Sequence, residues 1–160
     1  MDPDISAIES LSRNHLQIPT EHTLTATLLA QGAFNKVYIL ITSDRDGLES
    51  QLPCVFRFTL PVEPFYKTAS EVATLSYIRE HTSVPVPHVI AYNSTADDEF
   101  GFEWILMERI PGVSLKSVWG EMDTEAKEKQ TQAVARYVQQ GFCEDGAVLG
   151  EENKLSRALS

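Results

Sequence analysis

The chain has 160 residues, of which 42% are apolar and 22% are charged, and this composition is sufficient for one hydrophobic core. Its formal net charge of −10 argues against a surface that binds nucleic acid or anionic lipid, because both partners need clustered lysine and arginine. We therefore expect a globular protein whose partners include neither nucleic acid nor membrane.

The number of cysteines, the spacing of the histidines and the length of the apolar segments indicate which cellular compartment and which cofactors to expect. Cys54 and Cys143 are too few to indicate a disulfide framework, so a reducing compartment is expected. The four histidines show no metal-ligand spacing with one another or with either cysteine, so no metal site is predicted. The first ten residues are acidic, and no apolar run approaches the roughly 18 residues of a membrane span. These features predict a cytoplasmic protein.

The first part of the chain has the pattern of one helix and three strands. Apolar residues recur at helical spacing in residues 4–16, behind Asp4, which can cap the helix. Residues 23–30, 35–42 and 53–60 have the composition of strands. A glycine turn separates the first two strands, and a polar hairpin tip over residues 43–51 precedes the third.

The second part begins where Pro61 and Pro64 interrupt the chain. A helix follows over residues 68–81, a fourth strand lies within 83–92 and a fifth spans 102–107. A connector helix near residues 114–119 and a helix over 124–140 complete the pattern.

This order predicts an α+β fold with a five-stranded antiparallel sheet and a helix between strands 3 and 4. Helices are expected at the amino and carboxyl ends as well. We expect the strands to neighbour one another in chain order. A parallel βαβ fold is excluded because it needs a helix after nearly every strand.

The turn between the first two strands contains Gly32 and Asn35, residues that tolerate the backbone angles needed to aim amide groups at an anion. An ordinary hairpin turn has the same composition, so both interpretations stay open.

Arg57 is a basic residue within the third strand, on the face opposite Phe56 and Phe58, and its guanidinium can hold phosphate oxygens through two donors. Glu71 shares the apolar stripe of the following helix, where a carboxylate needs a cation, and Arg57 is the natural partner. Two other interpretations remain. Arg57 is a solvated surface charge, or Glu71 closes a capping box with Thr68.

A glycine turn, a basic residue on strand 3, a glutamate on the next helix and two further strands are the ordered parts of a kinase-like nucleotide-binding lobe. Through QGAFNKVYIL, VFRFTLP, KTASEVATLSYIREHTSVPVPHVIAY and EWILMERIPGVSL, the chain resembles the aminoglycoside phosphotransferase and choline kinase-like superfamily, especially its fungal members. The resemblance implies three parts: an amino-terminal helical segment (1–22), a protein kinase-like N-lobe (23–112), and a connector with the start of a truncated C-lobe (113–160).

The resemblance also implies an ATP site. The turn from Gly32 to Lys36 would lie over the nucleotide phosphates, Arg57 would bind them and Glu71 would orient Arg57. Residues 107–110 would form the hinge, with backbone groups at the adenine edge and Ile105 or Met107 lining the pocket; an ordinary edge strand is the alternative. The nucleotide-binding residues expected in this way are Gly32, Ala33, Phe34, Asn35, Arg57, Glu71, Met107, Glu108 and Ile110.

The family's catalytic loop, of H-G-D-x-x-x-x-N type, does not occur in these 160 residues. The aspartates at positions 44, 46, 97 and 98 fall in predicted turns. No catalytic or metal-binding residue is therefore assigned. We expect the chain alone to be inactive, ATP binding to be weak or absent, and Mg²⁺ to bind only with a C-lobe.

Two functions follow from these expectations. The first is the ATP-binding lobe of a small-molecule kinase, with nucleotide as the partner. The second is a non-catalytic kinase-like fragment that binds another protein or associates with itself. It rests on apolar side chains expected to be partly exposed without a C-lobe: Leu115, Val118, Trp119, Tyr137 and Val138.

Overall fold

The computed structural model of the protein describes residues 3–60, 66–98 and 100–157, and the side chains of residues 3–60, 67–98 and 100–140. The interruption expected at Pro61 and Pro64 and the side chain of Cys143 lie outside these described parts. The chain forms two compact units. The first comprises Met1–Tyr77 and Val86–Ile110, and the second comprises Ile78–Pro85 and Pro111–Ser160.

The elements confirm the predicted α+β fold: a five-stranded antiparallel sheet with a helix between strands 3 and 4. In chain order they are α1 (Ile5–Leu16), β1 (Thr23–Gln31), β2 (Asn35–Ser43), β3 (Glu49–Thr59), α2 (Tyr66–His81), β4 (Val89–Asn93), β5 (Glu103–Glu108), α3 (Leu115–Val118) and α4 (Thr124–Arg157).

The order of the strands in the sheet differs from the expected order along the chain. The sheet runs β1-β2-β3-β5-β4, so β3 pairs with β5 and β4 lies at the edge. Four consecutive residues of β5, from Glu103 to Leu106, are buried, whereas β4 alternates between half-buried and exposed positions. A strand buried on both faces belongs inside a sheet, and an alternating one suits an edge.

β3 begins at Glu49, four residues before the predicted start, so Pro53 lies in the interior of the strand and not at its first position. Proline lacks a backbone donor, so strands tolerate it at irregular positions. The β2–β3 register shifts here, between Ile39 and Ile41. The carbonyl of Pro53 accepts a hydrogen bond from the Arg109 amide at 2.9 Å. The hairpin tip shrinks to residues 44–48.

The main core lies on one face of the sheet, where α1 covers it. Phe56 is fully buried, stacks on Trp104 at 5.3 Å between centroids and meets the edge of Phe100 at 5.6 Å. Ile8 of α1 packs into the same cluster. The cluster consists of Ile8, Leu24, Ala26, Tyr38, Leu40, Cys54, Phe56, Phe58, Phe100, Phe102, Trp104 and Leu106. Burial raises the pKa of the Cys54 thiol, which is a free cysteine.

α1 is fixed at both ends and along its length. Asp4 caps it as predicted, because its side chain accepts a hydrogen bond from the Ser6 amide at 2.9 Å. Arg13 donates to the carbonyls of Pro19 and His22 at 2.7 and 2.8 Å. Glu9 accepts the backbone amide of Ala26, on the outermost strand, at 3.0 Å. The helix is thereby tied to β1 and to the segment that leads into it.

The second unit is helical. Asp123 caps α4 by accepting the Ala126 amide at 2.7 Å. The Ser83 amide donates to the side chain of Gln140 at 3.0 Å, which joins residues 78–85 to this helix. The helix was predicted to end near Gln140, but it continues to Arg157. Among the described residues, no helix combines the length and the apolar character needed to cross a membrane.

Candidate functional site

Arg57 and Glu71 form a bidentate ion pair. Arg57 Nη1 donates to Glu71 Oε1 and Nη2 donates to Oε2, both at 2.6 Å. The side chains are 13% and 34% exposed, so the pair is shielded mainly on the arginine side. The predicted pairing is confirmed, and the interpretation of Arg57 as a solvated surface charge is wrong. Parallel donors of this kind fix the plane of the guanidinium.

The capping-box interpretation of Glu71 is wrong. α2 starts at Tyr66, two residues earlier than predicted, so Thr68 lies inside the first turn. The Thr68 side chain is fully buried, and within the described structure its hydroxyl has no hydrogen-bond partner. The carboxylate that a capping box would use is bound to Arg57 instead. Glu71 therefore pairs with the Arg57 guanidinium on the sheet and does not cap the first turn of its own helix.

The guanidinium of Arg57 has more N–H donors than Glu71 accepts. Arginine carries five N–H groups, and Glu71 accepts one from each terminal nitrogen. The Nε atom is buried and has no acceptor among the described residues. A buried donor without an acceptor costs about 1–3 kcal/mol. The donor capacity at Arg57 thus exceeds the acceptors supplied by this part of the protein, which fits a site for an oxyanion.

The glycine turn occupies residues 32–34 and is anchored to the end of β3. The Gly32 amide donates to the Asn35 carbonyl at 2.8 Å across the turn. The Leu60 amide donates to the Phe34 carbonyl at 2.8 Å, and the Thr59 hydroxyl donates to the Asn35 side chain at 2.9 Å. Asn35 pairs with Thr59, two residues beyond Arg57, so the turn lies at the Arg57 end of β3.

The backbone of Gly32 does not need glycine. Its φ is not among the positive values, and an added Cβ would meet only the Asn35 carbonyl, at 3.7 Å. The turn is closed by its own hydrogen bond and by the strand ladder, so ordinary backbone angles are sufficient. The exposed residues Ala33 and Phe34 form the part of the turn that faces solvent.

Residues 107–110 comprise the last two residues of β5 and the two residues that follow it. Since β5 lies between β3 and β4, the edge-strand interpretation is wrong. The Glu108 amide donates to the His88 carbonyl at 2.8 Å. The Glu108 carboxylate accepts the His88 amide at 3.2 Å. Of the two backbone groups of Glu108, only the carbonyl therefore remains for a ligand. Ile110 follows the strand with its side chain half exposed.

The strand register identifies the apolar residues that share the Arg57 face. Val37 lies opposite Arg57, and Arg57 lies opposite Ile105. Val55 lies opposite Met107. Cross-strand partners share one face of a sheet, so these side chains form an apolar surface between the turn and residues 107–110. Ile105 and Met107 were predicted to line the pocket, whereas Val37 and Val55 were not predicted, although the two-residue alternation around Arg57 could have indicated them.

The described residues contain no group of three or more histidine, cysteine, aspartate or glutamate side chains that could hold a metal ion. Asp44 and Asp98 act as turn residues, as predicted: Asp44 accepts the Leu48 amide at 2.9 Å, and Asp98 accepts the Phe100 amide at 3.1 Å.

Comparison with known proteins assigns the family. The sequence profile of the phosphotransferase enzyme family matches residues 25–140, which is more than half of the chain. The chain belongs to this family. The matched range includes the glycine turn, the Arg57–Glu71 pair and residues 107–110, so the site described above lies within the part of the chain that matches the family.

Curated relatives are fungal. Over 97 residues, 61% of the chain, it is 40% identical to a subtelomeric hrmA-associated cluster protein of Aspergillus fumigatus. It is 31% identical over 101 residues, 63% of the chain, to altered inheritance of mitochondria protein 9, mitochondrial, of Meyerozyma guilliermondii. A protein of the same name from Candida tropicalis is 29% identical over 98 residues, 61% of the chain. The matches span 18%, 16% and 16% of the lengths of these three relatives.

Proposed function

We propose that this chain provides the ATP-binding lobe of a small-molecule kinase in the phosphotransferase enzyme family. The observation that carries the proposal is the bidentate pair between Arg57 on β3 and Glu71 on the following helix. In protein kinases, a basic residue on the third strand that is paired with a helix glutamate binds the nucleotide phosphates. The chain's membership of the phosphotransferase enzyme family supports the same role here.

Each part of the site has a proposed role. The free donors of Arg57 hold phosphate oxygens, and Glu71 fixes the guanidinium plane. Met107 and the apolar residues on the Arg57 face contact the base, while the Glu108 carbonyl and the backbone of Ile110 bind its polar edge. The turn, through Gly32, Ala33, Phe34 and Asn35, lies over the phosphates. Bound ATP would supply the phosphoryl group for transfer.

Phosphoryl transfer itself requires residues that this chain does not contain in the expected form. The H-G-D-x-x-x-x-N pattern is absent from its sequence, and the described residues offer no cluster of magnesium ligands. We therefore propose that the chain binds ATP weakly by itself. Transfer then depends on a C-lobe that supplies the catalytic aspartate and the ligands of Mg²⁺.

Calorimetric titration of ATP tests the proposal. Arg57→Ala should weaken ATP binding by about tenfold or more, because it removes a charge-assisted bidentate contact. Lys36→Ala should have a smaller effect. Arg45→Ala, at an exposed hairpin position, is the matched control and should leave affinity unchanged. Equal losses for Arg57→Ala and Lys36→Ala would contradict the role of Arg57, and wild-type protein that binds no ATP at millimolar concentration would refute the proposal.

A non-catalytic binding module is the second candidate, and apolar exposure in the second unit favours it. Leu115, Trp119 and Val138 are 39%, 41% and 51% exposed, as the sequence predicted, while Val118 and Tyr137 are half-buried. Exposed apolar surface of this kind promotes association. Sedimentation should show a concentration-dependent mass that Val138→Glu reduces and Leu48→Glu, at an exposed site in the first unit, does not. A monomer that binds no hydrophobic dye would contradict this candidate.

We also propose that the protein acts in the cytoplasm. Its two cysteines, Cys54 and Cys143, are too few to indicate a disulfide framework, which suits a reducing compartment. Two fungal relatives carry the word mitochondrial in their names. Imaging of a carboxyl-terminal fluorescent fusion should show diffuse cytoplasmic signal, and co-localisation with a mitochondrial marker would overturn the proposal.

A further inference from the structure

A lysine at the start of α2 contacts the tip of the glycine turn. The ammonium of Lys67 lies over the ring of Phe34, 5.4 Å from its centroid. Phe34 is 49% exposed, and Lys67 is exposed as well. A cation over an aromatic face at an exposed position contributes only a weak attraction. This contact therefore positions the lysine without holding it firmly.

The spacing on α2 places Lys67 on the same side of the helix as the ion pair. Lys67 precedes Glu71 by four residues, about one helical turn, and Glu71 holds Arg57. Because both carboxylate oxygens of Glu71 are bound to Arg57, they do not neutralise the lysine. The Lys67 ammonium thus adds a positive charge beside an ion pair that is neutral overall, in a protein whose net charge is −10.

The turn is also fixed from its other side. The Leu60 amide holds the Phe34 carbonyl at 2.8 Å, which locates the backbone that carries the ring. A ring on a fixed backbone restricts the long lysine side chain, so less conformational entropy is lost when the ammonium binds a ligand. Phosphate oxygens, which carry full negative charge, attract an ammonium more strongly than a ring face does.

We propose that Lys67 is a second phosphate-binding residue, seated on Phe34 and recruited to the outer phosphates of a nucleoside di- or triphosphate. This inference rests on the proposed ATP binding and extends it. Arg57 binds from the sheet side, and Lys67 binds from the helix side at the tip of the turn. The number of phosphates on the ligand then determines how much Lys67 contributes to affinity.

Titration of ATP, ADP, AMP and adenosine into the full chain tests this assignment. Lys67→Ala should weaken ATP and ADP binding by about fivefold to tenfold, AMP binding less, and adenosine binding not at all. Lys67→Arg should retain most of the ATP affinity, because it keeps the charge. Phe34→Leu should lose about twofold to threefold, because the seat of the ammonium is removed while its charge remains. Lys116→Ala, at an exposed lysine of α3, is the matched control and should leave every affinity unchanged.

The outcomes separate this inference from the proposed function. If wild-type protein binds ATP and Lys67→Ala binds it equally well, the role of Lys67 is wrong and ATP binding stands. Tighter ATP binding by Lys67→Ala would also overturn the assignment, since the Lys67–Phe34 contact would then obstruct the site. If wild-type protein binds no nucleotide, both proposals fail. Unchanged circular dichroism and melting temperature would confirm that the variants are folded, as expected for an exposed side chain.

Discussion

The two faces of the sheet in the first unit differ in chemistry: one is aromatic and the other carries an ion pair. On one face Phe56, Phe58 and Trp104 pack in an aromatic cluster that α1 covers. The other face carries Arg57, which is paired with Glu71 of α2. Strand alternation separates the two, because neighbouring residues of β3 point in opposite directions. The same strand thus supplies the core on one side and the candidate site on the other.

The faces also differ in how completely their polar groups are satisfied. Arg57 Nε and Thr68 Oγ1 are buried on the site face, and neither has a hydrogen-bond partner in the described structure. Ser12 of α1, on the core side, has a buried hydroxyl of the same kind. Unsatisfied groups reduce stability, and proteins keep them mainly where function requires them. We therefore expect the aromatic face to contribute most of the stability, and the charged face is the one on which we propose that nucleotide binds.

The largest effect is expected on the aromatic face. Phe56→Ala should lower the free energy of unfolding by about 3–5 kcal/mol, because it removes a fully buried ring and leaves a cavity beside Trp104. Urea denaturation followed by tryptophan fluorescence measures the change. Leu48→Ala, at a side chain that is 71% exposed, is the control and should change stability by less than about 0.5 kcal/mol. A loss below about 1 kcal/mol for Phe56→Ala would show that the aromatic face does not dominate stability.

An intermediate effect is expected on the charged face. Glu71→Gln should lower the free energy of unfolding by about 1–2 kcal/mol, because Arg57 then keeps its charge in a largely buried position without a carboxylate. It should weaken ATP binding more than its effect on stability alone would suggest. Glu80→Gln, at an exposed position of the same helix, serves as the control in both measurements. Unchanged ATP affinity in Glu71→Gln would contradict the proposal that the charged face binds nucleotide.

The smallest effect concerns the β4–β5 hairpin beside the aromatic face. Burial raises the pKa of Asp98, but hydrogen bonds from Trp104, Asn93 and the amides of Gly101 and Phe100 outweigh it and leave the pKa below its ordinary value. A lowered pKa stabilises the folded protein above the unfolded-state value of about 3.9, and this contribution is lost as pH falls through the folded-state pKa.

Melting temperatures measured between neutral pH and pH 3 test this hairpin contribution. Asp98→Asn should remove a pH-dependent contribution below about 1 kcal/mol, after allowance for solvent screening. The melting temperature of the variant should therefore fall less on acidification than that of the wild type. Asp97→Asn, at the exposed neighbouring aspartate, should behave like the wild type. Parallel acid profiles for wild type and Asp98→Asn would exclude a stabilising role for the Asp98 carboxylate.

Local chemistry in the sequence predicted much of this structure. Asp4 before an amphipathic run identified the start of α1, and a glutamate on the apolar stripe of α2 identified Arg57 as its partner. Both depend on neighbours a few residues away or on the alternation of one strand, and periodicity reveals such relations directly. The five strands and the helix between the third and fourth were found for the same reason.

The features that were missed depend on contacts between distant segments. The insertion of β5 between β3 and β4 is a choice among long-range pairings that no local pattern encodes. Pro53 lies inside β3 because a register shift accommodates it, which only the paired strand reveals. The capping box at Thr68 failed because Arg57 offered the Glu71 carboxylate a charged partner. Residues 107–110 were expected to form the connection after the last strand, but Met107 and Glu108 belong to β5 itself. The hydrogen bond from the Glu108 amide to the His88 carbonyl is evident only in the folded sheet.

Glu9 occupies a hydrogen-bond donor on the β1 edge of the sheet. β1 lies at the end of the sheet, where unpaired amides invite another chain to add a strand. The Glu9 carboxylate already occupies the Ala26 amide near the middle of this strand. An incoming chain would have to displace it and would bring its own backbone beside a negative charge. Growth of the sheet into larger assemblies is therefore discouraged at this border by a single helix residue.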